Sequence, residues 1–103
     1  MESKLFTPVT FGPLTLRNRT IRSAAFESMC PGNAPSDMLL DYHRSVAAGG
    51  IGMTTVAYAA VTQSGLSFDR QLWMRPEIIP GLRRLTDAIH AEGAAAEIGR
   101  AHV

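Results

Sequence analysis

The strongest constraint on the fold is an alternation of strand-like and helix-like segments along the chain. After a short apolar hairpin, the 103 residues predict strand, helix, strand, helix and the opening of a third strand at residues 94–98. Each strand–helix unit leaves apolar edges that neighbouring units must cover. We therefore expect the first part of a larger α/β barrel. The alternative is a half-barrel that stands alone as a non-enzymatic interaction module.

The N-terminal segments are short and are separated by turn residues. Two alternating triplets, residues 9–11 and 14–16, flank a Gly-Pro pair and predict a tight hairpin. Residues 20–25 predict a first parallel strand that ends in small side chains. The prolines and glycine of residues 26–35 then predict a loop.

A first helix and a second strand follow. Ser36 is a suitable N-cap and a Gly-Gly pair is a suitable stop, which predicts a helix over residues 37–48. The β-branched run at residues 51–58 lacks strict alternation, as expected of a strand that is covered on both faces. It therefore predicts the second parallel strand.

A second amphipathic helix precedes the third strand. Its apolar stripe consists of Ile78, Leu82, Leu85 and Ile89. Pro80 is tolerated only in the first turn, so the helix is expected to begin close to Ile79 or Pro80 and to end at Gly93.

The loop after the first strand separates two candidate folds. A dinucleotide-binding sheet would carry a Gly-x-Gly-x-x-Gly turn there, whereas this loop has Gly32 alone. We therefore expect a partial (β/α)8 barrel, made of the hairpin, two βα units and the start of a third strand.

Composition excludes several classes of partner. The chain is 46% hydrophobic with a net charge of +1, which provides no field for nucleic acid or anionic membranes. One cysteine cannot form an internal disulfide, and no apolar run is long enough for a signal peptide or a membrane span. We expect a cytoplasmic protein with neither nucleic-acid nor membrane partners. Its oligomeric state stays open.

Several separated motifs occur in a characteristic order. They are Leu-Phe-Thr-Pro at residues 5–8, Leu-Thr-Leu-Arg-Asn-Arg at residues 14–19, Gly-Gly-Ile-Gly at residues 49–52 and the long segment at residues 80–93 that begins Pro-Gly-Leu. Together they resemble the start of the old yellow enzyme family, the NADH:flavin oxidoreductases. The resemblance runs from Leu5 to about Ile98.

The resemblance implies that residues 1–98 are the N-terminal fragment of an FMN-binding (β/α)8 barrel. In that family, hydride passes from NADH or NADPH to the flavin and then to an electron-poor small molecule, at the C-terminal mouth of the barrel. A segment with two βα units is expected to be inactive alone. The iron–sulfur relatives of the dienoyl-CoA reductase type are an alternative parent, which the length of the gene would distinguish.

The resemblance also implies site residues. The cofactor-binding positions are Ser23, Ala24, Ala25, Phe26 and Tyr58, and Ser28 is the substrate-binding position. Small side chains after the first strand would let the main chain approach a flat ring. Phe26 stands where many relatives have cysteine or threonine, and Tyr58 where a small residue is usual.

Other polar residues are expected to have no chemical role. We expect His43 and His90 to lie on the surface or in packing, and Cys30 to be a spare loop thiol. We expect Glu27 and Asp69 to be solvated loop carboxylates rather than an acid/base pair. The sequence thus predicts no catalytic residue and no metal ligand in this segment.

The C-terminal residues do not continue the family pattern. The third strand would lead into Gln-Leu-x-His-x-Gly-Arg, and Gly99 stands in place of the glutamine. The last six residues also match a translated frame of a common sequencing adapter. We therefore expect residues 99–103 to be a non-native tail that does not contribute to stability.

Overall fold

The computed structural model describes residues 4–25, 27–67 and 69–100, except for the side chains of residues 57, 58 and 100. Its strands and helices follow the predicted order. In chain order they are β1 (Val9–Phe11), β2 (Leu14–Leu16), β3 (Ile21–Arg22), α1 (Asp37–Ala48), β4 (Met53–Ala59), α2 (Ile79–Ala91) and β5 (Ala95–Arg100). β1 and β2 form an antiparallel hairpin, and β3, β4 and β5 form a parallel sheet in that order.

The two helices begin and end where local signals place them. The Ser36 side chain accepts a hydrogen bond from the backbone N–H of Leu39, which satisfies one of the free donors at the start of α1. Gly49 caps the other end of α1, and Gly93 follows α2 with a φ of +87°. The predicted helix of residues 37–48 is therefore confirmed.

The sheet differs from the prediction at two strand ends. In β3 only Ile21 and Arg22 pair with β4, opposite Met53 and Thr54, so the strand is shorter than residues 20–25. β5 runs on to Arg100, which pairs with Ala59 after a shift in register. Gly99 and Arg100 thus lie in the sheet. That residues 99–103 are foreign to the protein stays a prediction.

Arg17 connects the hairpin to the ends of both helices. Its Nη2 donates to the carbonyl oxygens of Ala47, at 2.5 Å, and Ile51, at 2.9 Å. Its Nη1 donates to the carbonyl oxygen of Glu92 at 2.7 Å. Carbonyls at helix C-termini lack partners within the helix and carry partial negative charge. A guanidinium at this position therefore satisfies acceptors from two helices at once.

The apolar core lies between the sheet and the two helices. Its buried members are Cys30, Leu39, Ala47, Val56, Ala59, Leu72, Ile78, Leu85, Ile89 and Ala94. Cys30 lies in the loop before α1 and is buried in this core, and its lack of a chemical role stays a prediction. Burial raises the pKa of its thiol to about 11, and the nearby Glu27 carboxylate adds to the shift. Within the described residues, no helix has the length and apolar character that crossing a membrane requires.

Candidate functional site

The candidate site lies at the carboxyl edge of the parallel sheet, just beyond β3. Ser23, Ala24 and Ala25 follow the last paired residue, Arg22, and all three are exposed. Active sites of parallel α/β barrels are built at this edge, from the loops that follow the strands. Two methyl side chains and one hydroxymethyl leave the main-chain N–H and C=O groups open to a flat ring. These residues therefore fit a flavin, the cofactor that the resemblance implies.

The side chains of two further predicted cofactor residues, Phe26 and Tyr58, lie outside the description. Phe26 lies outside the described residues. The backbone of Tyr58 belongs to β4, but its side chain is outside the description. β4 ends one residue later at Ala59, so Tyr58 is at the carboxyl end of its strand, as the sequence predicts. Its contact with a cofactor stays a prediction.

Ser28 lies where the loop after β3 meets the loop after β4. Its φ is +50°, a left-handed conformation that non-glycine residues rarely adopt. Its hydroxyl donates to the carbonyl oxygen of Asp69 at 2.9 Å. Two residues later, the N–H of Cys30 donates to the carbonyl oxygen of Arg70 at 3.0 Å. Ser28 therefore connects two loops of the barrel mouth, and its role toward a substrate stays a prediction.

The segment that follows β4 returns to the same edge. The N–H of Ala60 donates to the carbonyl oxygen of Leu72 at 2.8 Å, and the N–H of Met74 donates to the carbonyl oxygen of Ala60 at 2.9 Å. Arg75 holds the other side of this turn, since its Nη1 donates to the carbonyl oxygens of Asn33, at 2.7 Å, and Trp73, at 2.9 Å. Backbone hydrogen bonds and the Arg75 guanidinium thus hold the loops after β3 and β4 in place.

The sequence did not predict a buried polar cluster that is formed by neighbours of residues 23–25. One carboxylate oxygen of Glu27, Oε2, lies 2.8 Å from Nε2 of His43 and 3.0 Å from Nη2 of Arg22. The Glu27 side chain is 3% exposed and that of His43 is 0% exposed. The expectation of a solvated Glu27 is therefore wrong. The carboxylate thus contacts side chains from both β3 and α1.

Each partner of Glu27 is held by further contacts. Nδ1 of His43 is hydrogen-bonded to Oγ1 of Thr54, on β4, at 2.8 Å. Arg22 donates from Nη1 to the carbonyl oxygen of Thr55 at 2.8 Å and from Nη2 to the Tyr42 hydroxyl at 3.1 Å. A buried charge is tolerated when it is paired with an opposite charge, as Glu27 is with Arg22. We call Arg22, Glu27, His43 and Thr54 the β3–α1 cluster.

The other predicted polar residues lie apart from this cluster. Asp69 is exposed, and its carboxylate accepts a hydrogen bond from the N–H of Arg70 at 3.0 Å. His90 is exposed on α2. Among the residues that the structure describes, no three His, Cys, Asp or Glu side chains are grouped so that they could hold a metal ion.

The family model for the NADH:flavin oxidoreductase / NADH oxidase family matches residues 4–103. The chain belongs to this family. Over 99 residues it is 54% identical to the 4,4'-dithiodibutanoate disulfide reductase of Rhodococcus erythropolis, a match that covers 94% of this chain and 25% of that protein. The chain thus spans about a quarter of the length of this relative.

Solved structures agree with the fold. A 2-naphthoyl-CoA reductase in complex with 2-naphthoyl-CoA superposes with a TM-score of 0.89 at 27% identity, over 94% of this chain and 15% of that one. Old Yellow Enzyme from Pichia sp. AKU4542 superposes with a TM-score of 0.87 at 13% identity, over 99% of this chain and 27% of that one, which shows the fold alone. The resemblance and the partial (β/α)8 barrel that the sequence predicts are confirmed.

Proposed function

We propose that this chain is part of an FMN-dependent NAD(P)H oxidoreductase, in which hydride passes through the flavin to an electron-poor small molecule. The observation that carries the proposal is the exposed, small-residue segment of residues 23–25 at the carboxyl edge of β3. Membership of the NADH:flavin oxidoreductase family supports it. The cofactor, when bound, accepts hydride from the nicotinamide and donates it to the acceptor.

The residues of this chain would hold one part of the cofactor. Main-chain groups of Ser23, Ala24 and Ala25 would hydrogen-bond the polar edge of the ring system, while Phe26 and Tyr58 would pack near it. Barrels of this kind usually bind a phosphate with loops after the seventh and eighth strands, which lie beyond the three parallel strands described here. We therefore propose that the remaining barrel units supply the phosphate contacts. The chain alone should be inactive.

The acceptor site would lie above residues 23–25, with Ser28 at its border. The 54% identity to a 4,4'-dithiodibutanoate disulfide reductase favours an organic disulfide as one acceptor to test. Its reduction would consume one NAD(P)H and one proton, break the S–S bond and release two thiols. An activated alkene such as a cyclic enone is the other acceptor to test. We propose that the whole protein acts in the cytoplasm and has neither nucleic-acid nor membrane partners.

The match to a longer flavoenzyme favours a second parent. The chain covers 15% of the 2-naphthoyl-CoA reductase, compared with 25% of the disulfide reductase. A parent of the longer type would carry further domains and, in the dienoyl-CoA reductase type, an iron–sulfur cluster. The length of the complete gene and the iron content of the purified protein distinguish the two parents.

The experiment that tests the proposed function uses the full-length protein that contains this sequence. The protein is purified, its flavin is released and identified, and anaerobic reduction of the bound flavin by NADH and by NADPH is followed by absorbance. Both acceptors are then added to the reduced protein. We expect about one FMN per chain, reduction by at least one nicotinamide and reoxidation by one acceptor. A protein that neither contains FMN nor binds it when FMN is added would refute the proposal.

A further inference from the structure

We infer that Arg22, Glu27 and His43 are positioning residues that hold residues 23–25 in the conformation that receives the flavin. This inference rests on the proposed function, because it assumes that these residues contact the cofactor. It concerns the buried cluster behind the loop and not the residues that would touch the ring.

The first argument is that the two ends of the loop are joined directly. Arg22 is the last paired residue of β3, and Glu27 comes five positions later. Their side chains meet at 3.0 Å, which joins the two ends of the connecting segment directly. Closing a loop removes conformations that it would otherwise sample. The ion pair therefore limits how residues 23–25 can move relative to the sheet.

The second argument is that the joined ends are anchored to two other elements. Glu27 reaches α1 through His43 at 2.8 Å, and His43 reaches β4 through Thr54 at 2.8 Å. Arg22 is held by the Thr55 carbonyl at 2.8 Å. The guanidinium carbon also lies 4.9 Å from the centroid of the Tyr42 ring, within the range of a cation–π contact. The position of the loop is thereby tied to the sheet and to α1.

The third argument is that Ala24 and Ala25, among the described residues, have little means of fixing their own position. Ala24 and Ala25 are exposed and carry only methyl groups, so their side chains form no directional contact. A loop of this kind is open to a ligand but depends on its ends for order. Buried charged groups that are paired at short distance favour one arrangement of the elements that carry them. Apolar side chains at these positions could stabilise the fold equally well. We therefore assign the charged side chains a role in positioning the loop.

The experiment compares Glu27→Gln with wild type in the full-length protein. Glutamine keeps the size of the side chain but removes the negative charge that Arg22 and His43 share. The readouts are the dissociation constant of FMN for the apoprotein, the absorbance spectrum of the bound flavin and amide hydrogen exchange of the peptide that covers residues 23–28. The control is Asp41→Asn, which removes an exposed ion pair with Arg44 on the same helix.

We expect the FMN dissociation constant of Glu27→Gln to rise at least about tenfold, because the apparent constant increases in inverse proportion to the fraction of loops in the binding conformation. Exchange in residues 23–28 should be faster in the apoprotein, and the flavin spectrum should shift. Asp41→Asn should match wild type in all three measurements. If Glu27→Gln does not fold, Glu27→Asp replaces it, since it keeps the charge but shortens the reach by one methylene.

The outcomes separate this inference from the proposed function. A wild-type protein that binds FMN, together with a folded Glu27→Gln variant whose affinity and exchange are unchanged, would overturn the positioning role and leave the function intact. Lower thermal stability without a change in affinity or exchange would likewise reduce the cluster to a packing feature. Failure of both variants to fold would also place the cluster among the requirements for folding and overturn the inference. A wild type without flavin binding would overturn both proposals.

Discussion

Replacing Arg17 by methionine tests how much one guanidinium contributes by joining both helix ends to the hairpin. Methionine keeps the apolar stem but removes the hydrogen bonds to the carbonyls of Ala47, Ile51 and Glu92. A hydrogen bond from a charged donor contributes about 1.5 to 3 kcal/mol when it is buried. The contacts to Ala47 and Ile51 are partly buried, whereas that to Glu92 is exposed. Counting the lower value for the two partly buried acceptors gives a loss of about 3 kcal/mol.

Urea unfolding of the full-length protein, followed by far-ultraviolet circular dichroism, measures this loss by linear extrapolation. The matched control is Arg83→Met on the exposed side of α2, which should change the free energy of unfolding by less than about 0.5 kcal/mol. Arg17→Lys should fall between the two, because one ammonium group cannot reach all three carbonyls in a fork. A loss below about 0.5 kcal/mol for Arg17→Met would show that water satisfies these carbonyls equally well.

Three further predictions concern single residues. Gly93→Ala should destabilise the full-length protein by more than about 1 kcal/mol in urea unfolding, because φ is +87° and a Cβ would lie 2.6 Å from Nη1 of Arg17; a neutral effect would contradict that geometry. Because burial raises its pKa to about 11, the Cys30 thiol should stay protonated at pH 8 and react with an aromatic disulfide reagent only after unfolding; fast labelling of the native protein would be inconsistent with this. Ala25→Trp should lower FMN occupancy in the purified protein, whereas Ala48→Trp, at the exposed end of α1, should not; equal flavin absorbance in both variants would argue against the site.

Local sequence signals predicted the elements whose ends are determined by residues close to them in the sequence. The start of α1 could be predicted because Ser36 caps it with its own side chain, which accepts from the N–H three residues later. The hairpin could be predicted because its turn is short and Gly12, with a φ of +55°, permits it. The limits of β3 could not be predicted from local residues, because they depend on how far β4 runs beside it. Only two residues of β3 find a partner there, and residues 23–25 are left for the site.

The β3–α1 cluster was harder to predict because its members are distant in sequence. Yet the sequence holds a signal for it. His43 lies four positions after Leu39 and four before Ala47, on the stripe of α1 that is buried against the sheet. Arg22 similarly stands in a strand that a parallel barrel covers on its helix side.

Polar side chains at such positions need partners, since burial without them costs several kcal/mol. The loop of residues 23–36 is adjacent to both elements, and Glu27 is its only acidic residue. The expectation that Glu27 is solvated because it lies in a loop was wrong. Loops that follow barrel strands are where functional residues concentrate. A buried histidine and a partly buried arginine beside a loop with one carboxylate therefore favour an inward position of that carboxylate. On this inference, the exposed residues 23–25 can be small because the ion pair of Arg22 and Glu27 restricts their conformation.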